Sequence, residues 1–585
     1  MRMAAATPLS LRAYVWRHRR RIVTGFALVL ASVGIHVGMP FITRYAVDAL
    51  REGAVPPLVI AGYAGAYLLA ALAMAICGVH MRQILLALGH QVEYEIRRDV
   101  FNHLTRMDAY FYQRERTGDL MTKMTSDLTA VREFVGQGLF QGARTAIGFV
   151  LAFGIMFALN VRLAAVMLLL LPAISVLFFF LIRVLRVRYE ASQEQFSRIS
   201  NFSQESFAGI RTLRGYAIEA RQQARFGLLN QEYIKLQMGL SRVERPLWPT
   251  MVLLFGLGVV AILWVGGRQV VAGDLTIGQF VQFSQYLFIL QWPMLALGWT
   301  INLLQRGRAS WQRIATILEA DPRIADHQDT DHRITEVHGD IRFERVRLTM
   351  GTTPVLHDIQ LHIPAGQTLG ITGPTGSGKT LLASLLARLL DPTQGRVTIG
   401  GCDLRQIPLD VLRQHVGVAP QEAFLFSDTL ANNIGFGLAE PDAEKIFAAA
   451  QLAELHPDIE TFPDQFDTWL GERGVTLSGG QRQRTAISRA LARDPAILIL
   501  DDVFSAIDTQ TEAAIQARLR PVLQDRTTLI ISHRVSSLRH ADRIIVLQNG
   551  CITQSGTHAE LVQQPGYYRE LDEVQRLEAR LEGEA

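Results

Sequence analysis

Residues 373–380 read GPTGSGKT, a glycine-spaced run holding one of only four lysines in a chain of 585 residues. Glycines at this spacing let successive backbone N–H groups curl around phosphate oxygens, and a helix starting there adds the partial positive charge of its N-terminus. The strand-like TLGIT before the run and the helical LLASLLARLL after it supply that context. Lys379 is the residue to reach terminal phosphates, and Thr380 the one to ligate Mg²⁺ beside them. AILILDD at 496–502 reads as a buried strand ending in two carboxylates, and Asp501 fits the role of holding that metal, directly or through water. LSGGQ at 477–481 opens the helical RQRTAISRALARD. Alone it is a glycine-rich turn with Ser478 as helix cap. Between the phosphate loop and the carboxylate strand it reads as part of the same chemistry.

These segments need a scaffold, and from Ile341 the texture is that of one: short β-rich runs alternate with helical ones, the pattern of an α/β P-loop domain. Ahead of it lie six long apolar stretches, roughly 22–44, 58–86, 137–159, 163–185, 249–271 and 277–304. A hydrocarbon core of about 30 Å needs about 20 residues of helix, so each is long enough to span it. The expected fold is multi-domain: an all-α transmembrane domain over 1–310, a linker over 311–340, the nucleotide-binding domain over 341–565 and a C-terminal helix over 566–585. The first stretch follows Arg17, Arg19, Arg20 and Arg21 but is too long for a signal peptide, and LRAYVWRHRR reads as a basic amphipathic helix at the headgroups.

Loops after the second and fourth stretches run about 50 and 60 residues and carry many arginines, among them Arg97, Arg98, Arg106, Arg188, Arg211 and Arg214. Basic residues flanking spans stay cytoplasmic, which puts both termini, both long loops and the nucleotide-binding domain inside a multi-pass plasma or inner membrane protein. The loops read as helical, so the spans should continue well beyond the bilayer. Hydrophobic residues make up 49% and charged ones 19%, with a mean hydropathy of +0.17, which disfavours a purely soluble enzyme. A net charge of +4 over this length excludes the footprint of a nucleic-acid binder. Cys77, Cys402 and Cys551 form neither a CxxC pair nor a metal pattern and read as reduced and structural.

With these motifs together the chain resembles the ATP-binding-cassette transporters, specifically exporter-type half-transporters with six spans ahead of one cassette and akin to one subunit of a heterodimeric bacterial multidrug exporter. The resemblance implies ATP and Mg²⁺ as cofactors. Gly373, Pro374, Thr375, Gly376, Ser377, Gly378, Lys379 and Thr380 would bind ATP together with Gln421, Asp501 and Met350; Thr380, Gln421 and Asp501 would hold the metal; Asp502, His533 and Gln421 would be catalytic. It makes SAID (505–508) a D-loop, and RTGDLMTKMTSD (116–127) and ESFAGIRTLRGYAIEA (205–220) coupling segments. Ser478, Gly479, Gly480 and Gln481 would bind the nucleotide of a second half-transporter subunit, since in this family two cassettes close head to tail.

Two positions depart from the family pattern. Asp502 stands where a glutamate usually orients the attacking water, and Met350 where an aromatic ring usually stacks on adenine. A carboxylate withdrawn by one methylene implies a weak site, and an intact LSGGQ implies service to a competent one, so a heterodimer is favoured over a homodimer. The expected activity is ATP-driven export of a hydrophobic or amphipathic small molecule, lipid or peptide by alternating access. His36, His80, Arg144, Gln282, Gln285, Gln291, Trp292 and Trp299 are the polar or aromatic groups in or near the spans, read for packing before cargo. An exporter-fold importer, such as one for a siderophore, and a nucleotide-gated channel or regulator remain as alternatives.

Overall fold

A computed structural model describes residues 10–53 and 55–583. It divides into two compact units: residues up to Thr105 with Thr117–Ala320, and Arg106–Arg116 with Asp321 onward.

The first unit is all helix. Five helices among the described residues are long and apolar enough to cross a membrane: Arg19–Arg51, Pro57–Leu104, Thr117–Leu159, Glu219–Val271 and Ile277–Leu318. The expected fourth span falls within the helix Val161–Ala208, where most side chains between 170 and 182 lie outside the described residues. Pro57–Leu104 and Val161–Ala208 have 48 residues each, about 72 Å at 1.5 Å per residue, so they extend far beyond a hydrocarbon core. The last helix continues to Leu318 through Pro293, past the expected domain boundary at 310.

Polar contacts fix the register of these helices. Asp48 accepts from the Thr276 hydroxyl at 2.9 Å and the Gly278 N–H at 2.8 Å, holding the start of the last helix, which Thr276 and Gln279 also close with a capping box. Tyr286, fully buried, donates to the Val37 carbonyl at 2.9 Å and accepts from Gln282 at 3.3 Å. Near the N-terminus the Leu11–Arg17 helix turns Tyr14 inward to donate to Asp99 at 2.9 Å, while Trp16 stays exposed.

The second unit holds two sheets. Strands β1 (Ile341–Met350), β2 (Thr353–Ile363), β4 (Gln394–Ile399) and β5 (Cys402–Asp403) form an antiparallel sheet in the order β2-β1-β4-β5. Strands β3 (Thr368–Thr372), β6 (Val416–Ala419), β7 (Ile497–Asp501), β8 (Thr527–Ile531), β9 (Arg543–Gln548) and β10 (Cys551–Gly556) form the other, in the order β10-β9-β3-β8-β7-β6. In it β9, β3, β8, β7 and β6 run parallel, and β10 closes the edge antiparallel. β7 is buried on both faces: Ile497 and Ile499 pack into one core cluster, Leu498 and Leu500 into the other. That is why ILIL is unbroken rather than alternating.

In the first long loop the helical break falls at 105–116, just ahead of the expected coupling segment, where Asp108 caps the short helix Ala109–Arg114. The same carboxylate accepts from the Arg323 N–H at 2.6 Å, and the Arg323 guanidinium lies 3.8 Å from the centre of the Tyr110 ring. In the second loop the break, with the short helix Ile210–Gly215, lies inside the expected 205–220.

Candidate functional site

Three neighbouring parallel strands, β3, β8 and β7, end side by side, and the residues that follow them converge. Open α/β sheets bind ligands at these carboxyl ends. The cleft there has a volume of about 240 Å³ and is lined by Thr375, Gly376, Gly378, Lys379, Thr380, Gln421, Asp501, Asp502 and His533 among others.

The phosphate loop takes its shape from its glycines. Gly373, Gly376 and Gly378 have φ of 146°, 81° and 102°. A Cβ at Gly373 would lie 2.0 Å from the Leu547 carbonyl oxygen, so no side chain fits there. Gly378 is the residue before the helix Lys379–Leu386, whose first N–H groups therefore open onto the cleft. Lys379, 7% exposed, donates to the carbonyls of Gly373 and Pro374 at 2.8 Å each. Ser377 is buried with its hydroxyl oxygen unpartnered. Gly373, Pro374 and Ser377 are not among the lining residues; the carbonyls of the first two accept from the Lys379 ammonium.

Opposite stands the carboxylate pair. Thr380 donates to Asp501 at 3.2 Å, so a hydroxyl and a carboxylate oxygen already sit together in the way a hard cation prefers. Among the described residues no group of three or more His, Cys, Asp or Glu is placed to hold a metal. A cation at Thr380 and Asp501 would therefore share its shell with phosphate oxygens and water, the habit of Mg²⁺. Asp502 follows with φ of 49°, a left-handed backbone that aspartate adopts more readily than most residues. Its N–H donates to the Ile531 carbonyl at 2.8 Å, and its side chain accepts from the Gln421 amide at 3.3 Å.

Burial sets the electrostatics. It lifts the Asp501 carboxyl above the usual range, with Asp502 adding to the rise, while Thr380 and Lys379 oppose it. It pushes the Lys379 ammonium down against the pull of the two aspartates. His533 is pushed down by burial and by the nearby Lys379 charge.

Two predicted groups lie elsewhere. Met350 closes β1 and packs on the core between the sheets, outside the lining of the cleft. Ser478, Gly479, Gly480 and Gln481 open the helix Gly479–Ala492, also apart from that lining, with Ser478 exposed. Ser478 and Gln481 form a reciprocal capping box, and Gln481 also donates to Asp458 at 2.8 Å. Gln483, not singled out in the sequence, binds both the Ser505 hydroxyl and the Ala506 N–H at 3.0 Å, tying this helix to the D-loop.

Comparison with known proteins gives this arrangement a context. Residues 22–294 match the family described as "ABC transporter transmembrane region", and residues 356–505 the one described as "ABC transporter". The chain is 35% identical to the multidrug resistance-like ATP-binding protein MdlA of Escherichia coli (strain K12), over 97% of this chain and 96% of that protein. It is 33% identical to the ATP-dependent lipid A-core flippase of Desulfotalea psychrophila, over 84% and 86%. Among solved structures, a bacterial Atm1-family ABC exporter with ATP bound superposes with a TM-score of 0.78 at 27% identity, covering 95% of this chain and 99% of that one.

Proposed function

The chain belongs to the ABC transporters, as an exporter-type half-transporter with an ATP-hydrolysing cassette, and we propose that it exports a hydrophobic or amphipathic cargo as one half of a heterodimer in the inner membrane. The observation that carries the dimeric reading is the separation of parts. The phosphate loop, Gln421, Asp501, Asp502 and His533 share one cleft, whereas Ser478, Gly479, Gly480 and Gln481 lie outside it, with Ser478 exposed. A signature that lies outside its own chain's cleft is available to a second cassette. The cargo class follows from the relatives, whose names speak of multidrug resistance and of lipid A-core.

In this reading the glycine loop and Lys379 hold the phosphates of ATP, while Met350, packed on the core between the sheets, gives adenine no stacking ring. Mg²⁺ held in the cleft would supply charge neutralisation at the phosphates. Thr380 and Asp501 present oxygens to that ion, with Gln421 beside them. His533, whose cationic form burial disfavours, donates a ring N–H to the terminal phosphate. Asp502 orients water from a carboxylate one methylene short of a glutamate's reach, and the Gln421 amide donates to that carboxylate. Such a site binds nucleotide and turns it over slowly, which favours pairing with a half whose site is competent.

The test is to purify the complex from native membranes through a tag on this chain and to assay it in inside-out vesicles. A second, different polypeptide of similar size, with ATP-dependent cargo uptake into the vesicles, supports the proposal. Two copies of this chain alone reject the heterodimer. Movement in the opposite direction, or currents that outlast turnover, would point to the importer or channel reading.

A further inference from the structure

His533 sits on a three-residue stretch, 532–534, between the end of β8 and the short helix Val535–Leu538. What holds that stretch is spread over the cassette. On one side Arg534 donates to Glu512 at 2.7 Å and to the D-loop carbonyls of Ile507 at 3.0 Å and Ser505 at 3.3 Å. Glu512, 2% exposed, also accepts from the hydroxyls of Ser536 at 3.0 Å and Ser537 at 2.5 Å. On the other side a single amide does the work. Gln575 donates to the His533 carbonyl at 2.7 Å and accepts from the Val535 N–H at 2.8 Å.

An amide bridging a carbonyl and an N–H two residues apart copies the pairing of a neighbouring strand. Only one orientation of the amide satisfies both, because the carbonyl needs a donor and the N–H an acceptor. The bridge holds the His533 carbonyl and encloses the φ and ψ of Arg534, and so anchors the peptide that leaves the His533 Cα. Gln575 itself lies on the helix Tyr567–Gly583, beyond the last strand, far from every nucleotide motif in the sequence. That helix is anchored at its start: Tyr568 is fully buried with its hydroxyl 2.9 Å from the His558 ring, and Asp572 is 3% exposed.

We propose that Gln575 is a positioning residue for ATP hydrolysis, and that through it the C-terminal helix sets the aim of His533 at the terminal phosphate. This rests on the reading of His533 as the residue that meets that phosphate. Gln575 touches no nucleotide, so it governs the turnover step and not affinity. A displacement of about 1 Å at a catalytic group can lower a rate on the order of 100-fold, so a rotation of the 533–535 backbone is enough to matter.

The experiment uses the full chain in its native complex, with Asp502→Glu in all samples to make turnover at this site visible. Gln575→Ala, Gln575→Glu, His533→Ala and the double variant of His533→Ala with Gln575→Ala are compared by steady-state ATPase and by thermal unfolding. Gln575→Ala is expected to lower kcat about tenfold with the KM for ATP within about twofold. Gln575→Glu, which keeps the acceptor and loses the donor, should fall between, and it carries the test if the alanine variant does not fold. The double variant should be no slower than His533→Ala, because both act through one group. Additive losses, a parallel rise in KM, or an unchanged kcat in a folded Gln575 variant would overturn the proposal. An unchanged rate in His533→Ala would sink the reading of His533 itself, and the proposal with it.

Discussion

Thr380 and Asp501, 121 residues apart in the chain, meet at 3.2 Å where the phosphate loop faces the end of β7. The contact brings a loop chosen for its glycines against a strand chosen for its apolar side chains. Everything expected of the cleft depends on that meeting.

Asp501 is the first place to test it. Burial and Asp502 raise its pKa, so its ionised form is disfavoured in the folded chain, and stability falls as pH rises through the carboxylate range. Asp501→Asn should therefore leave thermal stability without nucleotide unchanged or higher at pH 7, and flatten its pH dependence between about 4 and 7. The same variant should lose the stabilisation that ATP with Mg²⁺ gives the natural chain. Melting curves across pH, with and without MgATP, read both.

Lys379→Ala should weaken ATP binding about 10- to 100-fold. Hydrogen bonds to charged groups contribute about 1.5–3 kcal/mol, and each 1.4 kcal/mol is tenfold. The variant also strips the Gly373 and Pro374 carbonyls of their shared donor. Equilibrium binding of a fluorescent ATP analogue to this chain's site checks it; full affinity would remove Lys379 from the phosphate-binding set.

Asp502→Glu should raise hydrolysis at this site, by up to about 100-fold if reach alone limits it. The left-handed backbone at 502 opposes the longer residue, so a modest drop in melting temperature should accompany the gain. An ATPase assay showing no gain would reject the withdrawn carboxylate as the defect.

The glycines of the loop are not equivalent. Gly373→Ala meets both a positive φ and the Leu547 carbonyl, and should abolish nucleotide binding or folding. A Cβ at Gly376 has nothing within 4 Å, so Gly376→Ala meets only the backbone strain, about 1 kcal/mol. Side-by-side thermal unfolding of the two variants should rank them in that order.

Ser478→Ala removes a helix cap, which costs about 1 kcal/mol, and removes a hydroxyl proposed to face the partner's nucleotide. Ser478→Asn keeps a cap. Turnover of the complex should stay low in both variants while stability recovers only in the second; recovery of both would leave Ser478 with a capping role alone.

What could be read in advance was local. Eight contiguous residues carry the phosphate loop, and five buried ones carry β7, so spacing alone announced them. The apolar spans were legible for the same reason, each being one contiguous stretch in which polar residues are few. The rest depends on pairs that only folding brings together. Nothing in Gln575, 42 residues beyond His533, marks it in a helical tail of charges and leucines. Glu512 and Arg534 belong to no motif, and only the fold shows that Glu512 is buried and paired with Arg534. The left-handed turn at Asp502 has no glycine to signal it. The first long loop reads as helical, and the break at 105–116 is not legible in it, because the Asp108 cap belongs to a motif too short to outweigh the helical texture around it.

The segment Arg106–Arg116 is built into the compact unit that otherwise begins at Asp321. A ribosome therefore releases this piece some 200 residues before the chain it packs against exists, and the Asp108 carboxylate must await the Arg323 and Ile324 amides. A cassette excised at 321 would leave those amides and the Arg323 cation without the partners they meet in the whole chain. The unit is thus not a contiguous stretch of gene, and its assembly is complete only after the helices before it have been made.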